Sequence, residues 1–212
     1  DPDDLEFSLG KVHGKSDPEG EPRLDLGQVL ELASPSSRYN QGEMGLDVTS
    51  YFRSDMECFP CGAHAVHLTV DPETGKIKIG RYVVAEDVGH VINPMILTGQ
   101  IVGAAAQGIG ATILEELVYD EGGQPLAGSL MDYLLPTSRD IPPIESAVVD
   151  LAPSPLNPLG VKGAGEIGIV ATGAALSNAV SQALSSLGVQ VRELPLSPDR
   201  LAELIRDSHP AE

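Results

Sequence analysis

Gly160–Gly168 reads "GVKGAGEIG", and within it Gly163–Gly168 spells G-A-G-E-I-G, the glycine spacing of a dinucleotide-binding turn. Such a turn leaves the end of a buried strand, and an acidic residue about 20 positions later binds the ribose. Neither condition is met. The residues before Gly163 are "SPLNPLGVK", whose prolines exclude a central strand, and the next acid after Glu166 is Glu193. A carboxylate inside the turn would also repel the phosphate it is meant to hold. The doubly wound dinucleotide fold is therefore set aside, and the glycines are read as a mount for Glu166. At the start of a helix its carboxylate is held ionised by the dipole, while burial acts the other way, a balance that suits a general base. The plain alternative is that Glu166 decorates the first turn of a helix. Lys162, four residues earlier, is placed to pair with Glu166 or to hold an anionic group.

Working outward, a helix from about 166 to 187 follows this loop, with Ile169, Val170, Leu176, Val180, Ala183, Leu184 and Leu187 on its buried side. "VQVREL" then reads as a short strand, and "SPDRLAELIRDS" as a helix with Ser197 before Pro198 at its first position. Upstream, "AHAVHLTV" and "KIKIGRYVVAEDVG" flank the turn "DPETG" and predict a β-hairpin. A long helix is expected from Met95 to Glu116, with Ile96, Ile101, Ala104, Ala105, Ile109, Ile113 and Leu117 at helical spacing. Gly99, Gly103, Gly108 and Gly110 interrupt it at about 0.8 to 1 kcal/mol each, which implies the close approach of a neighbouring backbone or a ligand. "LVYD-EGGQP-LAGSL" predicts a second hairpin and "ESAVVDLA" one more strand. "LEFSL" predicts an opening strand, followed by a turn and a helix from Asp25 to Ala33 capped by Asp25. Residues 35–62 read as a long loop. The fold class is α+β: hairpins and sheet packed with two long helices, divided as a leading segment (1–60) and a lobe (61–212).

The chain has 212 residues and a net charge of -18, which opposes nucleic acid and anionic membrane surfaces. No apolar run approaches the roughly 20 residues that span a bilayer, and the acidic N-terminus lacks a signal-peptide pattern, so a cytoplasmic home is expected. The missing initiator Met and abrupt start point to a fragment, a trimmed chain or a processed subunit. Cys58, Cys61, His64 and His67 form C-x-x-C-x-x-H-x-x-H, but two residues between the Cys and His pairs are too few to fold around zinc. In a strand His64 and His67 also point to opposite faces. Pro60 and Gly62 disfavour the helix that a redox C-x-x-C opens, which leaves two packed thiols.

"EDVGHVINPMILTGQIVGAAAQGIGATILEELVYDEGGQPLAGSLMDYLLPTSRDIPPIE" followed by "NPLGVKGAGEIG" closely resembles the C-terminal part of the large, molybdenum-binding subunit of the xanthine dehydrogenase and aerobic carbon monoxide dehydrogenase family. The resemblance runs from about Pro60 to Ile205. It implies a molybdopterin cofactor, of the cytosine dinucleotide form, with molybdenum reached through the pterin so that no protein metal ligand is needed. Glu166 occupies the place of the glutamate in K-G-x-G-E, whose implied role is general base in hydroxylation of an electron-poor carbon, with water as the oxygen source. Q-x-x-G-x-x-x-Q-G puts Gln100, and secondarily Gln107, against the pterin on one helix face. Backbone groups of Lys162, Gly163, Ala164 and Gly165 are implied as further contacts. Close members of the family carry other residues where Cys58 and Cys61 stand.

Such a subunit is several times longer, so this polypeptide is expected to hold half a site. The implied partners are the rest of the large subunit and subunits carrying FAD and iron-sulfur clusters, since two cysteines cannot supply four thiolates. Copper and carbon monoxide find no support in these residues. A non-catalytic assembly module of the same fold is the competing class, and a nucleotide-binding dehydrogenase domain the third.

Overall fold

Inward alternation builds the centre of the fold. The computed structural model, which describes residues 2–39, 45–46, 48–54 and 56–208, pairs β4 (Cys61–Val70) with β5 (Ile77–Asp87) as the expected antiparallel hairpin. The Asp71 side chain accepts from the Glu73 N–H and the Thr74 hydroxyl and closes the turn. His64, Val66, Leu68 and Val70 turn inward, while His67 is exposed, so the two histidines do take opposite faces. β6 (Ile144–Val148) is the strand expected from "ESAVVDLA", and it joins β5 in parallel to give the order β4-β5-β6. The chain divides into two compact units, residues 1–53 and 54–212, and this sheet belongs to the second.

In the first unit β1 (Leu5–Ser8), β2 (Lys11–Gly14) and β3 (Leu24–Asp25) form an antiparallel sheet. α1 (Leu26–Ala33) follows, capped by Asp25 as expected, with Gln28 returning the bond to the Asp25 N–H. Residues 34–60 hold no helix or strand among those described; the part of the expected long loop at 40–44, 47 and 55 lies outside the described residues.

α2 (Pro94–Ile113) is the first expected long helix, started by the Asn93 side chain accepting from the Ile96 N–H and by Pro94 at its head. It buries Leu97, Ile101, Ala105 and Ile109 in a core shared with Tyr82, Val84, Leu176 and Val180. It ends three residues before the expected Glu116, where the Gly110 carbonyl accepts from both the Leu114 and Glu115 N–H groups. α2 corrects one reading of composition: counting its glycines and alanines, it is long and apolar enough to cross a bilayer. Its apolar side is packed into the core, the placement of a core helix in a globular fold.

The second expected long helix is not continuous. α3 (Ile167–Val170) ends at Ala171, and α4 (Thr172–Ala183) follows, with a short 3-10 turn at Ser185–Leu187. The Thr172 hydroxyl donates to the Gly168 carbonyl at 2.9 Å, competing with the backbone ladder where the break occurs. Gly168 lies so close to α2 that a Cβ there would stand 2.6 Å from the Ile101 carbonyl oxygen. The second hairpin is also corrected: Asp120 closes a turn by accepting from Gly122 and Gln124, yet only an isolated Tyr119–Pro125 bridge forms. Pro125 has no N–H with which to extend a ladder. "VQVREL" forms no strand; the Val191 N–H goes to the Ser181 hydroxyl instead. α5 (Pro198–Ser208) closes the described chain, with Pro198 leading it as expected.

Candidate functional site

The loop carrying Glu166 is pinned along its length before it reaches the glutamate. Asn157 accepts from the Val161 N–H at 3.1 Å and donates to the Val161 carbonyl at 2.8 Å, closing a ring across Gly160. Gly160 has φ +67°, and its carbonyl accepts from the N–H groups of His90 and Ser154. The Lys162 N–H donates to the Val88 carbonyl, and Nζ lies 3.2 Å from the Asp87 carboxylate in a largely buried pair. Lys162 therefore pairs with Asp87 in this chain, where the sequence offered Glu166. The Gly89 N–H first, and then Lys162, hold the Asp87 carboxyl below the usual carboxylate range. The Gly163 N–H donates to the Cys58 carbonyl at 3.0 Å.

Beyond that point the backbone is free: the N–H groups of Ala164, Gly165 and Glu166 have no acceptor among the described residues. Glu166 is the residue that opens α3, its side chain exposed and making no capping bond. α3 has four residues, so Glu166 stands exposed at the head of a single turn and not at the start of the long helix expected from the sequence.

Gly163, Ala164, Gly165 and Glu166 line a cavity of about 520 Å³ with Cys58, Cys61, His64 and Ile167. Gln100 does not line it but stands beside Gly165, where a Cβ would be 3.6 Å from Gln100 Nε2. Gln107 lies on the same exposed side of α2, but no described bond ties it to the loop. Lys162 does not line the cavity, and its backbone N–H, like that of Gly163, is already engaged within the chain. A larger cleft of about 880 Å³ at the turn end of the hairpin, between Asp71, Lys76, Lys78 and Arg139, holds none of the expected residues.

The four glycines of α2 divide. A Cβ on Gly108 would stand 2.7 Å from the Thr172 side chain, and one on Gly110 would strike Glu115 and Pro136. At Gly99 and Gly103 it would meet nothing within 4 Å among the described residues. The first pair answers to a neighbouring chain segment; the second faces open space beside Gln100.

Three residues had been given no role at this site: Cys58 and His64, weighed as zinc ligands and set aside, and Glu86, which the sequence did not single out. Cys58 is half-buried, and its sulfur accepts from the Ser154 hydroxyl at 3.1 Å and the Asn157 side-chain amide at 3.6 Å. Cys61 is exposed, so only one of the two thiols is packed. His64 bonds Tyr82 through Nδ1 at 2.9 Å, and burial lowers its pKa against a backbone hydrogen bond at Ile167 that acts the other way. Glu86 is 1% exposed on the inward register of β5, with both carboxylate oxygens unpartnered among the described residues, and burial pushes its pKa up to about 7. The strand alternation that turns Tyr82 and Val84 inward was the available signal for Glu86. No group of three or more metal-ligating side chains occurs among the described residues.

Residues 1–142 match the model of the molybdopterin cofactor-binding domain. The gamma subunit of the 6-hydroxypseudooxynicotine dehydrogenase complex of Paenarthrobacter nicotinovorans is 39% identical over 202 residues, 95% of this chain and 25% of that one. The carbon monoxide dehydrogenase large chain of Afipia carboxidovorans is 33% identical over 198 residues, 93% of this chain and 24% of that one. Quinoline 2-oxidoreductase from Pseudomonas putida 86 superposes with a TM-score of 0.85 at 34% identity, over 98% of this chain and 26% of that one. The chain thus spans 24–26% of the length of these three relatives.

Proposed function

The chain belongs to the molybdopterin cofactor-binding domain family, with the fold of the molybdenum hydroxylase large subunit, and from that premise we propose that it forms one wall of a hydroxylase active site. In this reading Glu166 is the general base and the substrate is a small molecule oxidised at an electron-poor carbon, with water as the oxygen source. One observation carries it: the open side of α2 and the free amides of the Glu166 loop meet at Gln100.

The residues fit the group. A pterin is flat and rimmed with donors and acceptors. The Gln100 side-chain amide offers both kinds of partner, three unpaired N–H groups at Ala164–Glu166 donate, and Gly99 and Gly103 leave the helix surface bare for close approach. Gln107 extends the same face. Lys162, tied to Asp87, shapes the loop, and Gly163 and Ala164 contribute cavity wall. When bound, molybdopterin in its cytosine dinucleotide form supplies the two-electron acceptor. The chain's own part is to orient that group and to hold the Glu166 carboxylate, which makes no capping bond, where an oxygen nucleophile can give it a proton. The remaining wall comes from the rest of the large subunit, electrons leave through FAD and iron-sulfur subunits, and the assembly is cytoplasmic.

The test is Glu166→Gln in the assembled complex. A fall in kcat of about 10²–10⁴ with molybdenum and pterin retained is expected. Near-unchanged turnover rejects the base, and a complex purified without molybdenum or pterin rejects the whole reading in favour of an assembly module.

A further inference from the structure

Cys58 makes three hydrogen bonds to the segment that ends in Glu166, and the proposed chemistry uses none of them. Its carbonyl accepts the Gly163 N–H at 3.0 Å, three residues before Glu166. Its sulfur accepts from Ser154 Oγ at 3.1 Å and from Asn157 Nδ2 at 3.6 Å. Each donor is itself structural. Ser154 is buried, its hydroxyl oxygen takes the Leu156 N–H, and its own N–H joins the Gly160 carbonyl. Asn157 is the residue that closes the ring on Val161. Sulfur is a weak acceptor, but both donors meet it in a half-buried position, where a lost acceptor leaves polar groups unsatisfied.

The position of these bonds matters more than their strength. Residues 160–163 are fixed on one side by Val88, Gly89 and Asp87, and on the other by Cys58. From Gly163 to the buried Ile167 only Ala164, Gly165 and Glu166 intervene, and their N–H groups are unbonded among the described residues. Releasing the Cys58 side frees one of the two ends from which Glu166 is suspended.

We propose that Cys58 is a positioning residue of this site: through its carbonyl, Ser154 and Asn157 it sets where the Glu166 carboxylate stands. This rests on the reading of Glu166 as the base.

The experiment compares Cys58→Ala, Cys58→Ser and Glu166→Gln in the complete, cofactor-loaded complex. Cys58→Ala is expected to lower kcat by roughly ten- to a hundredfold with KM and molybdenum content little changed, because a displaced base loses rate before binding. Cys58→Ser, which restores an acceptor, is expected to recover most of that loss. Independently of any activity, hydrogen exchange at residues 160–166 is expected to quicken in Cys58→Ala and to stay slow in β4 and β5. Wild-type kcat in Cys58→Ala, or unchanged exchange at 160–166, overturns the proposal. If Glu166→Gln is fully active the base reading fails, and the exchange measurement alone then decides whether Cys58 holds the loop. Where Cys58→Ala does not accumulate folded, Ser154→Ala, which removes one donor to the sulfur, is read in the same two ways.

Discussion

The two sides of α2 carry the same residue type for opposite ends. On the packed side Gly108 lets α4 approach until Thr172 fills the place of a Cβ, and Gly168 of α3 does the same against Ile101. On the open side Gly99 and Gly103 face nothing, beside Gln100 and the bare amides of the Glu166 loop. Both kinds cost about 0.8 to 1 kcal/mol of helix propensity per glycine, but only the packed ones regain it within this chain. On the proposed reading the unrepaid cost on the exposed face is kept for the cofactor, while side chains on the packed side answer to the core.

The largest expected effect tests the packed side through Glu86. Its folded pKa of about 7 stands above the ordinary 4.5, so the stability it lends is complete below about pH 4.5 and is lost as pH rises to about 7. That difference amounts to roughly 3 kcal/mol. Urea unfolding of wild type is expected to weaken across this window, and Glu86→Met to flatten the dependence; an unchanged slope would mean that solvent reaches the carboxylate. Asp87, its pKa lowered by Gly89 and Lys162, acts with the opposite sign and loses its contribution only in acid.

Next in size is Gly168→Ala. Its Cβ would stand 2.6 Å from the Ile101 carbonyl oxygen and 2.9 Å from the Ala104 Cβ, so α3 must lift from α2. A net loss of about 1–3 kcal/mol is expected in denaturant unfolding. Wild-type stability would erase the distinction between the two sides.

The smallest effect sharpens the comparison most. Gly103→Ala is expected to stabilise the fold by about 0.8 to 1 kcal/mol, since nothing opposes the new methyl group. The same change is expected to lower the molybdenum content of the assembled complex. Gained stability with full cofactor content would leave the open glycines without a purpose.

Much of this was legible before any coordinates. Inward alternation and an Asp-Pro-Glu-Thr-Gly turn gave the hairpin, Asp25 gave the capped α1, and the prolines before Gly163 removed the dinucleotide fold. What escaped depends on contacts distant in sequence. The break at Ala171 follows from Gly168 pressing on α2 and from the Thr172 hydroxyl bonding backward, neither of which helical periodicity encodes. Of the two roles offered to Lys162, pairing with Glu166 or holding an anionic group, the first gave way to a pair with Asp87, a nearer partner only once β5 lies beside the loop. Cys58 looked inert because its donors, Ser154 and Asn157, lie almost a hundred residues further on.

The parallel seating of β6 against β5 bears on the order in which the second unit assembles. β4 and β5 meet across a short turn and can pair early, but β6 must wait until the whole crossover through α2 has closed, an entropic barrier that local pairing does not face. Val149, just past β6, bonds the Glu86 carbonyl, so the strand that arrives late completes the backbone pairing around the buried carboxylate. On a growing chain, the hairpin would wait with that edge unpaired until the crossover and β6 had been made.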